Sequence, residues 1–247
     1  MSFKVYYCPE NFFEELTIKV EEPSIHSKYT YSDCPVWKHR QNRTFVAYSP
    51  CTFRMGLDED VLWYKLDDED MVEITMDDFD CGSDSQGNIE DDYYDDNIYC
   101  VLSDLEEDKP VVQLKFPNVH FWTDFDNQYV WFEMLDHPET ALNNNFIGIG
   151  GWWNLASHPR NTSLALKFQD GDGELYIEKG DPLYRIRFYS ENMNDKFTLE
   201  KKEISEELLD TFDDRRDTLV NDRKFMNTIL FDKDARAKCP FHNVQSH

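Results

Sequence analysis

Residues 174–191 read ELYIEKGDPLYRIRFYSE, in which two runs of alternating apolar and polar residues flank a four-residue break at 179–182. Alternation with a period of two predicts β-strands, because successive side chains of a strand point to opposite faces of a sheet. Gly180 permits a left-handed backbone, Asp181 can accept local N–H groups, and Pro182 fixes φ where the second run begins. The stretch predicts a hairpin whose turn folds the sheet and carries no chemistry.

The same alternation recurs along most of the chain. About a dozen short segments are rich in aromatic or β-branched residues and end at Pro, Gly, Asn or Asp, among them FKVYY, LTIKV, TFVAY, VLWYK, IYCVL, VVQLKF and YVWFEM. Strands at this spacing, without helical patterns between them, are typical of antiparallel sheets. We therefore expect a mainly β protein, an antiparallel sandwich of jelly-roll type.

The C-terminal region has a different period. From Ser205 onward, apolar residues recur near helical spacing, at Leu208, Phe212, Leu219, Met226 and Ile229. Ser205 is suited to cap the helix, and the acidic residues after it suit the positive first turn. The pattern predicts a helix of about 20 to 25 residues. We expect residues 1–203 to form the sandwich, with an acidic insertion at 58–108, and residues 204–247 to form a helix and tail packed on it.

The charge of the chain limits its partners. Fifty acidic and 25 basic side chains give a formal net charge of −25, which repels nucleic-acid phosphates and anionic membranes. The N-terminus lacks the pattern of a signal peptide, and no apolar run approaches the roughly 20 residues that span a bilayer. The six cysteines form no C-x-x-C pair, which favours reduced thiols. We expect a protein that stays in the cytosol where it is made, or in a particle assembled there, without direct contact with nucleic acid or membrane.

Most of the excess charge is concentrated in one segment. Between Asp58 and Asp108 there are 21 acidic residues and one basic residue, Lys65. We predict that residues 77–96 form a loop on an ordered face and that this face docks a protein partner. The predicted contact residues are Asp77, Asp78, Asp80, Asp84, Asp91, Asp92, Asp95 and Asp96. A solvated acidic loop and a divalent-cation site are the alternatives.

Metal sites are weakly indicated elsewhere. Asp170, Asp172 and Glu174 alternate as calcium ligands do, but they lack the EF-hand register, so a hairpin turn is favoured. His120 and Asp124 are the candidates for a transition metal, although a separation of four residues does not suit one strand face. No cofactor is predicted, and a divalent cation is the alternative.

The segment GIGGWWNLAS at 148–157 allows two interpretations. It lacks the Lys-Ser/Thr ending of a phosphate loop, and the chain has no nucleophile elbow. A tight bend whose tryptophans cover the edge of the core is one interpretation, and an aromatic wall for a flat or sugar-like ligand is the other. The candidate wall residues are Trp122, Tyr129, Trp131, Trp152 and Trp153.

Three segments resemble an uncharacterised family, domain of unknown function 6065, which occurs in bacteria and in tailed phages of cyanobacteria. They are CPVWKHRQNRTFVAYSPCTFRM at 34–55, FIGIGGWWNLA at 146–156 and IEKGDPLYRIRF at 177–188. They share a pattern of turns and apolar strands rather than a catalytic motif. The resemblance implies a phage-encoded protein, located in the cytoplasm of an infected host cell or in the virion, and assigns no activity to any residue.

The sequence thus favours a non-enzymatic phage protein, binding or structural, that docks a virion or host protein through an acidic face. One alternative is a metal-dependent oxygenase or isomerase of jelly-roll type, with a cavity lined by the five aromatic residues and a metal held by His120 and a carboxylate. Another is an acidic mimic of nucleic acid that inhibits a host protein. A monomer and an edge-strand dimer both fit the pattern.

Overall fold

The computed structural model describes residues 2–9, 16–21, 35–58, 61–67, 70–75, 98–102, 111–114, 118–123, 130–144, 146–155, 160–162, 164–168, 174–192, 194–210 and 212. The strands are β1 (Ser2–Pro9), β2 (Thr17–Val20), β3 (Thr44–Tyr48), β4 (Phe53–Asp58), β5 (Val61–Leu66), β6 (Val72–Thr75), β7 (Ile98–Leu102), β8 (Val111–Leu114), β9 (Val119–Thr123), β10 (Trp131–Asp136), β11 (Phe146–Ile149), β12 (Trp152–Asn154), β13 (Arg160–Thr162), β14 (Ala165–Phe168), β15 (Glu174–Ile177), β16 (Pro182–Tyr189) and β17 (Lys196–Lys201). Two short helices, α1 (Pro35–Gln41) and α2 (Pro138–Asn143), were not expected from the sequence.

The described strands form four sheets, with the orders β13-β9-β1-β17, β12-β10-β16-β3-β2, β11-β14-β8-β7 and β15-β4-β5-β6. The pairings among the described strands are antiparallel, apart from the parallel pair of β1 and β17. The predicted fold class, mainly β with antiparallel packed sheets, is confirmed.

The predicted hairpin at 174–191 is wrong. β15 pairs with β4, whereas β16 pairs with β3 and β10 in another sheet, so the turn between them connects two sheets. Gly180 has a φ of 92°, and the Asp181 amide donates to the Glu178 carbonyl oxygen at 3.0 Å. Apolar and polar residues alternate in the same way in a hairpin and in two consecutive strands that belong to different sheets. The sequence pattern therefore could not show that β15 and β16 do not pair. β14 and β15, which flank residues 169–173, also lie in different sheets, so that turn is not a hairpin either.

The connection from β15 to β16 runs beside the connection from β3 to β4. The Ser49 amide donates to the Asp181 carbonyl oxygen at 2.8 Å, and the Gly180 amide donates to the Ser49 carbonyl oxygen at 2.9 Å. Since β3 pairs with β16 and β4 with β15, the four strands form a bent two-stranded ribbon shared by two sheets. The bend in this ribbon sets the orientation of β16 and so positions Arg185, Arg187 and Tyr189 on its outward face.

A second bend lies between β11 and β12. β11 pairs with β14, whereas β12 pairs with β10 in a different sheet. A Cβ atom on Gly150 would lie 1.9 Å from the Met134 carbonyl oxygen, and one on Gly148 would lie 2.8 Å from the Asp136 Cβ. The glycines therefore allow β11 to cross closely over β10, while Ile147 and Ile149 stay exposed.

Side chains from all four sheets pack into one large core. At its centre the Phe132 ring lies 4.3 Å from the Trp153 ring and 5.0 Å from the Phe121 ring, measured between centroids. A smaller cluster joins Tyr6 and Trp122 to Phe212, at the start of the predicted C-terminal helix.

The start of that helix is as predicted. Residues 206–210 are helical, and the Leu208 amide donates to the Ser205 hydroxyl just before them at 3.3 Å. Its continuation toward residue 230 lies outside the described residues. None of the helices that the structure describes is long and apolar enough to cross a membrane.

Candidate functional site

The acidic segment, residues 58–108, contributes strands to two sheet edges. β6 is the edge strand of β15-β4-β5-β6, and β7 is the edge strand of β11-β14-β8-β7. The part of the segment between them therefore begins and ends on ordered edge strands. The eight aspartates predicted to contact a partner, from Asp77 to Asp96, lie outside the described residues.

The acidic side chains that the structure does describe in this segment point to solvent. Asp58, Asp70 and Glu73 are exposed, and none of the three forms an ion pair with another described residue. Asp67 is exposed as well, and its carboxylate accepts a hydrogen bond from the Thr52 amide at 2.8 Å. Its φ of 44° places it in the left-handed region, where Asp is tolerated better than most residues. This ordered part of the segment thus presents unpaired negative charge.

A second feature is the outward face of β10, β12 and β16. Trp131 is the register partner of Tyr189 and Asn154, and Glu133 is the register partner of Trp152 and Arg187. The Trp131 and Trp152 rings lie 4.9 Å apart between centroids, with a tilt of 38°. Trp152 is 57% exposed. We call Trp131, Trp152, Glu133, Arg187 and Tyr189 the tryptophan face.

Hydrogen bonds order the polar half of the tryptophan face. Arg187 Nη1 donates to Glu133 Oε2 at 3.3 Å and to the Tyr189 hydroxyl at 3.2 Å. The Tyr189 hydroxyl donates to the same Glu133 oxygen. Arg187 Nε donates to the Thr44 hydroxyl at 3.2 Å, so the guanidinium is fixed from two sides. Together these bonds hold the Glu133 carboxylate in place beside Trp152.

Charged side chains continue along the same face of β16, at Arg185. Arg185 Nη1 lies 3.6 Å from Glu21 Oε1, and Arg185 Nε donates to the Asp136 carbonyl oxygen at 3.0 Å. Burial lowers the pKa of Arg185, and Glu21 partly offsets that effect. Burial and the nearby Arg185 lower the pKa of His137 below its usual value near 6.5. His137 is therefore neutral at pH 7.

Burial also raises the pKa of Tyr189 above its ordinary value of 10.0, and the hydrogen bond to Glu133 acts in the same direction. A phenol kept neutral is a hydrogen-bond donor, as this network requires. Tyr189 and Arg187 therefore serve to position Glu133.

The structure brings together two of the five predicted wall residues, Trp131 and Trp152. Trp153 is buried in the main core against Phe132. Trp122 packs with Tyr6 and Phe212 in the smaller cluster on another sheet. Tyr129 lies outside the described residues. In the segment at 148–157, Trp153 therefore covers the core, whereas Trp152 faces solvent, and the aromatic wall for a ligand stays a prediction.

Of the two candidate metal ligands, His120 belongs to the part of the chain that the structure describes. His120 stacks on the Phe212 ring, with centroids 5.8 Å apart, and Asp124 lies outside the described residues. Within the described ranges, no group of three or more His, Cys, Asp or Glu side chains is placed to hold a metal ion.

Sequence reasoning missed the polar half of the tryptophan face. The alternation in LYRIRFY already places Arg185, Arg187 and Tyr189 on one side of a strand. Three polar or amphipathic residues in a row on one face, followed by a turn, were a usable signal. The partner Glu133 could not be inferred, because its contact depends on the register of β10 against β16.

Comparisons with known proteins add little. No protein-family model matches the chain, and no curated protein matches it. A mutant dUTPase of Staphylococcus bacteriophage 80alpha, solved with dUpNHpp, is similar over 77% of this chain and 88% of its own, with 10% identity and a TM-score of 0.30. A second mutant of that dUTPase is similar over 47% of this chain and 88% of its own, with 14% identity and a TM-score of 0.25. Overlaps this loose carry no argument about function.

Proposed function

We propose that this chain is a non-enzymatic, phage-encoded binding protein that docks a basic protein partner through its acidic segment. The observation that carries the proposal is the attachment of this segment to two ordered sheet edges, with its described carboxylates exposed and unpaired. The resemblance found in the sequence implies a phage context, so the partner is a virion or host component.

The concentrated charge of the acidic segment is costly to the folded protein. Self-repulsion among 21 acidic residues with one basic residue between Asp58 and Asp108 opposes compaction. Asp58, Asp70 and Glu73 form no ion pair with another described residue that would offset this repulsion. A basic surface on another protein would relieve the repulsion and gain from long-range attraction.

Topology supports the same proposal. In the sheet β15-β4-β5-β6, the acidic edge β6 lies three strands away from β15, about 14 Å at the usual strand spacing. That distance exceeds the Debye length of about 8 Å at physiological ionic strength. The acidic edge therefore acts as a local docking surface, and the rest of the chain is nearly neutral.

The experiment compares two charge-matched variants. The acid-segment variant carries Asp58→Asn, Asp70→Asn and Glu73→Gln. The matched control variant carries Glu139→Gln, Glu174→Gln and Glu203→Gln, which are exposed residues outside the segment. Each variant removes three negative charges.

Each protein is immobilised and exposed to lysate of infected cells. We expect wild type and the matched control to retain the same protein and the acid-segment variant to retain markedly less of it. Equal retention by all three proteins would refute docking through the segment. Displacement of the captured protein by duplex DNA would instead favour the nucleic-acid mimic. A rise of several degrees in the thermal midpoint with millimolar calcium, lost in Asp91→Asn, Asp92→Asn, Asp95→Asn and Asp96→Asn together, would favour a cation site.

A further inference from the structure

Docking through the acidic segment leaves the tryptophan face without a role. Trp152 is 57% exposed, which is unusual for the largest apolar side chain in a chain with a well-filled core. Its contact with Trp131, at 4.9 Å between centroids, holds the indole in place and leaves the ring open to solvent. An exposed and positioned indole is suited to stack on a flat ligand.

A polar group lies beside this indole. Glu133 is the register partner of Trp152 on the adjacent strand, so the two side chains share one face as near neighbours. Glu133 Oε2 accepts the hydrogen bonds from Tyr189 and Arg187. No described residue donates to Glu133 Oε1, and the side chain is 28% exposed. The face therefore offers one ring and one fixed, unused acceptor.

We propose that Trp152 and Glu133 form a binding site for a neutral saccharide. A pyranose ring stacks its C–H face on the Trp152 indole, and one of its hydroxyl groups donates to Glu133 Oε1. Tyr189 and Arg187 are positioning residues that hold the carboxylate. The site is separate from the acidic segment and does not depend on partner docking.

Other ligand classes fit the face less well. An anionic ligand is disfavoured by the Glu133 carboxylate on this face. An apolar peptide side chain on Trp152 would bury Glu133 Oε1 without a donor, which is unfavourable for a charged acceptor. A caged cation needs aromatic walls that are apart, whereas Trp131 and Trp152 contact each other.

The test is calorimetric titration of the whole chain with three neutral oligosaccharides: maltohexaose, cellohexaose and chitohexaose. We expect at least one to bind with a Kd between micromolar and millimolar values. Trp152→Ala should weaken binding about tenfold or more, since it removes the stacked ring. Glu133→Gln should weaken it several-fold, because a charged acceptor is replaced by a neutral one. Trp63→Ala, on β5 in another sheet, should change Kd less than about twofold and serves as the matched control.

Three results would overturn the proposal. The first is that none of the three sugars binds at 10 mM ligand, on the order of the weakest useful affinity. The second is that wild type and Trp152→Ala bind with equal affinity. The third is that tetramethylammonium displaces the bound sugar, which would indicate a cation site. Trp152→Phe keeps an aromatic ring and should retain most of the affinity, so it separates loss of stacking from loss of fold. Unchanged thermal midpoints in the variants complete that control.

Discussion

Single glycines decide how closely two strands of this protein approach each other. Gly150 lies against backbone, since a Cβ there would be 1.9 Å from the Met134 carbonyl oxygen. Gly180 has the opposite situation, a φ of 92° with nothing within 4 Å of its added Cβ. The first glycine is required by space and the second by backbone conformation.

These two glycines give a matched pair of substitutions. Gly150→Ala should lower the free energy of unfolding by about 3 kcal/mol, because strands β10 and β11 must move apart. Gly180→Ala should cost about 1 kcal/mol, the strain of a left-handed non-glycine residue. Urea unfolding followed by tryptophan fluorescence measures both. Equal costs for the two variants would contradict the close crossing of β11 over β10.

Tyr184 gives a prediction about pH. Its side chain is fully buried, and its hydroxyl faces Thr162 without forming a hydrogen bond of normal geometry. Burial raises the pKa of Tyr184 far above its ordinary value of 10.0. The folded protein therefore keeps this proton when the unfolded chain loses it, so the stabilisation is complete below pH 10 and declines as pH rises above it.

Tyr184→Phe isolates this effect. At pH 7 the variant should be as stable as wild type or more stable by up to about 1 kcal/mol, because an unpaired buried hydroxyl is removed. Above pH 10 wild type should lose up to about 1.4 kcal/mol per pH unit more than the variant. Denaturant unfolding between pH 7 and pH 11.5, about one and a half units above the usual tyrosine pKa, measures the difference. Parallel pH profiles for the two proteins would refute the burial of this phenol.

At the scale of elements, the C-terminal helix begins where the sequence predicts. Ser205 accepts a hydrogen bond from the Leu208 amide at 3.3 Å, and Phe212 packs against Trp122 and Tyr6. Local signals sufficed here, because a cap and its helix lie within a few residues of each other. They did not suffice for α1 and α2, which have 7 and 6 residues and are too short to show a helical period.

The helix cap can be tested directly. Ser205→Ala should reduce the free energy of unfolding by about 1 kcal/mol, because the Leu208 amide loses its side-chain acceptor. Ser205→Asp keeps an acceptor and adds a negative charge at the helix N-terminus, so it should be at least as stable as wild type. Thermal unfolding followed by circular dichroism at 222 nm, the usual helix wavelength, compares the three proteins. A Ser205→Ala protein as stable as Ser205→Asp would argue against the cap.

Strand pairing is the feature of the elements that could not be predicted from the sequence. Alternation in ELYIE and LYRIRFY correctly predicts two strands. It does not determine whether they pair with each other or with β4 and β3. That choice depends on side chains more than a hundred residues away. The contact of Trp131 with Trp152 depends in the same way on the β10–β12 register, so both tryptophans could be proposed from the sequence as wall residues but not their contact.

At the scale of the whole molecule, the chain outside the acidic segment is nearly neutral, and the segment contributes two edge strands. β6 and β7 both belong to the acidic segment, and each is an edge strand of its sheet. The count of charges along the sequence predicts this segregation, because the sum of acidic residues does not depend on folding. The placement of β6 and β7 at sheet edges could not be predicted, since it is a property of sheet order.

The most direct test of the account is the association rate of the captured partner at several ionic strengths, for wild type, the acid-segment variant and the matched control. Steered association should be fast at low salt and fall steeply as the Debye length shortens from about 10 Å at 0.1 M to about 3 Å at 1 M. We expect the acid-segment variant to associate about tenfold more slowly than the matched control at low salt, with similar dissociation rates and with the difference vanishing at 1 M. Association rates that are equal for the two variants at every ionic strength would contradict docking through the acidic segment.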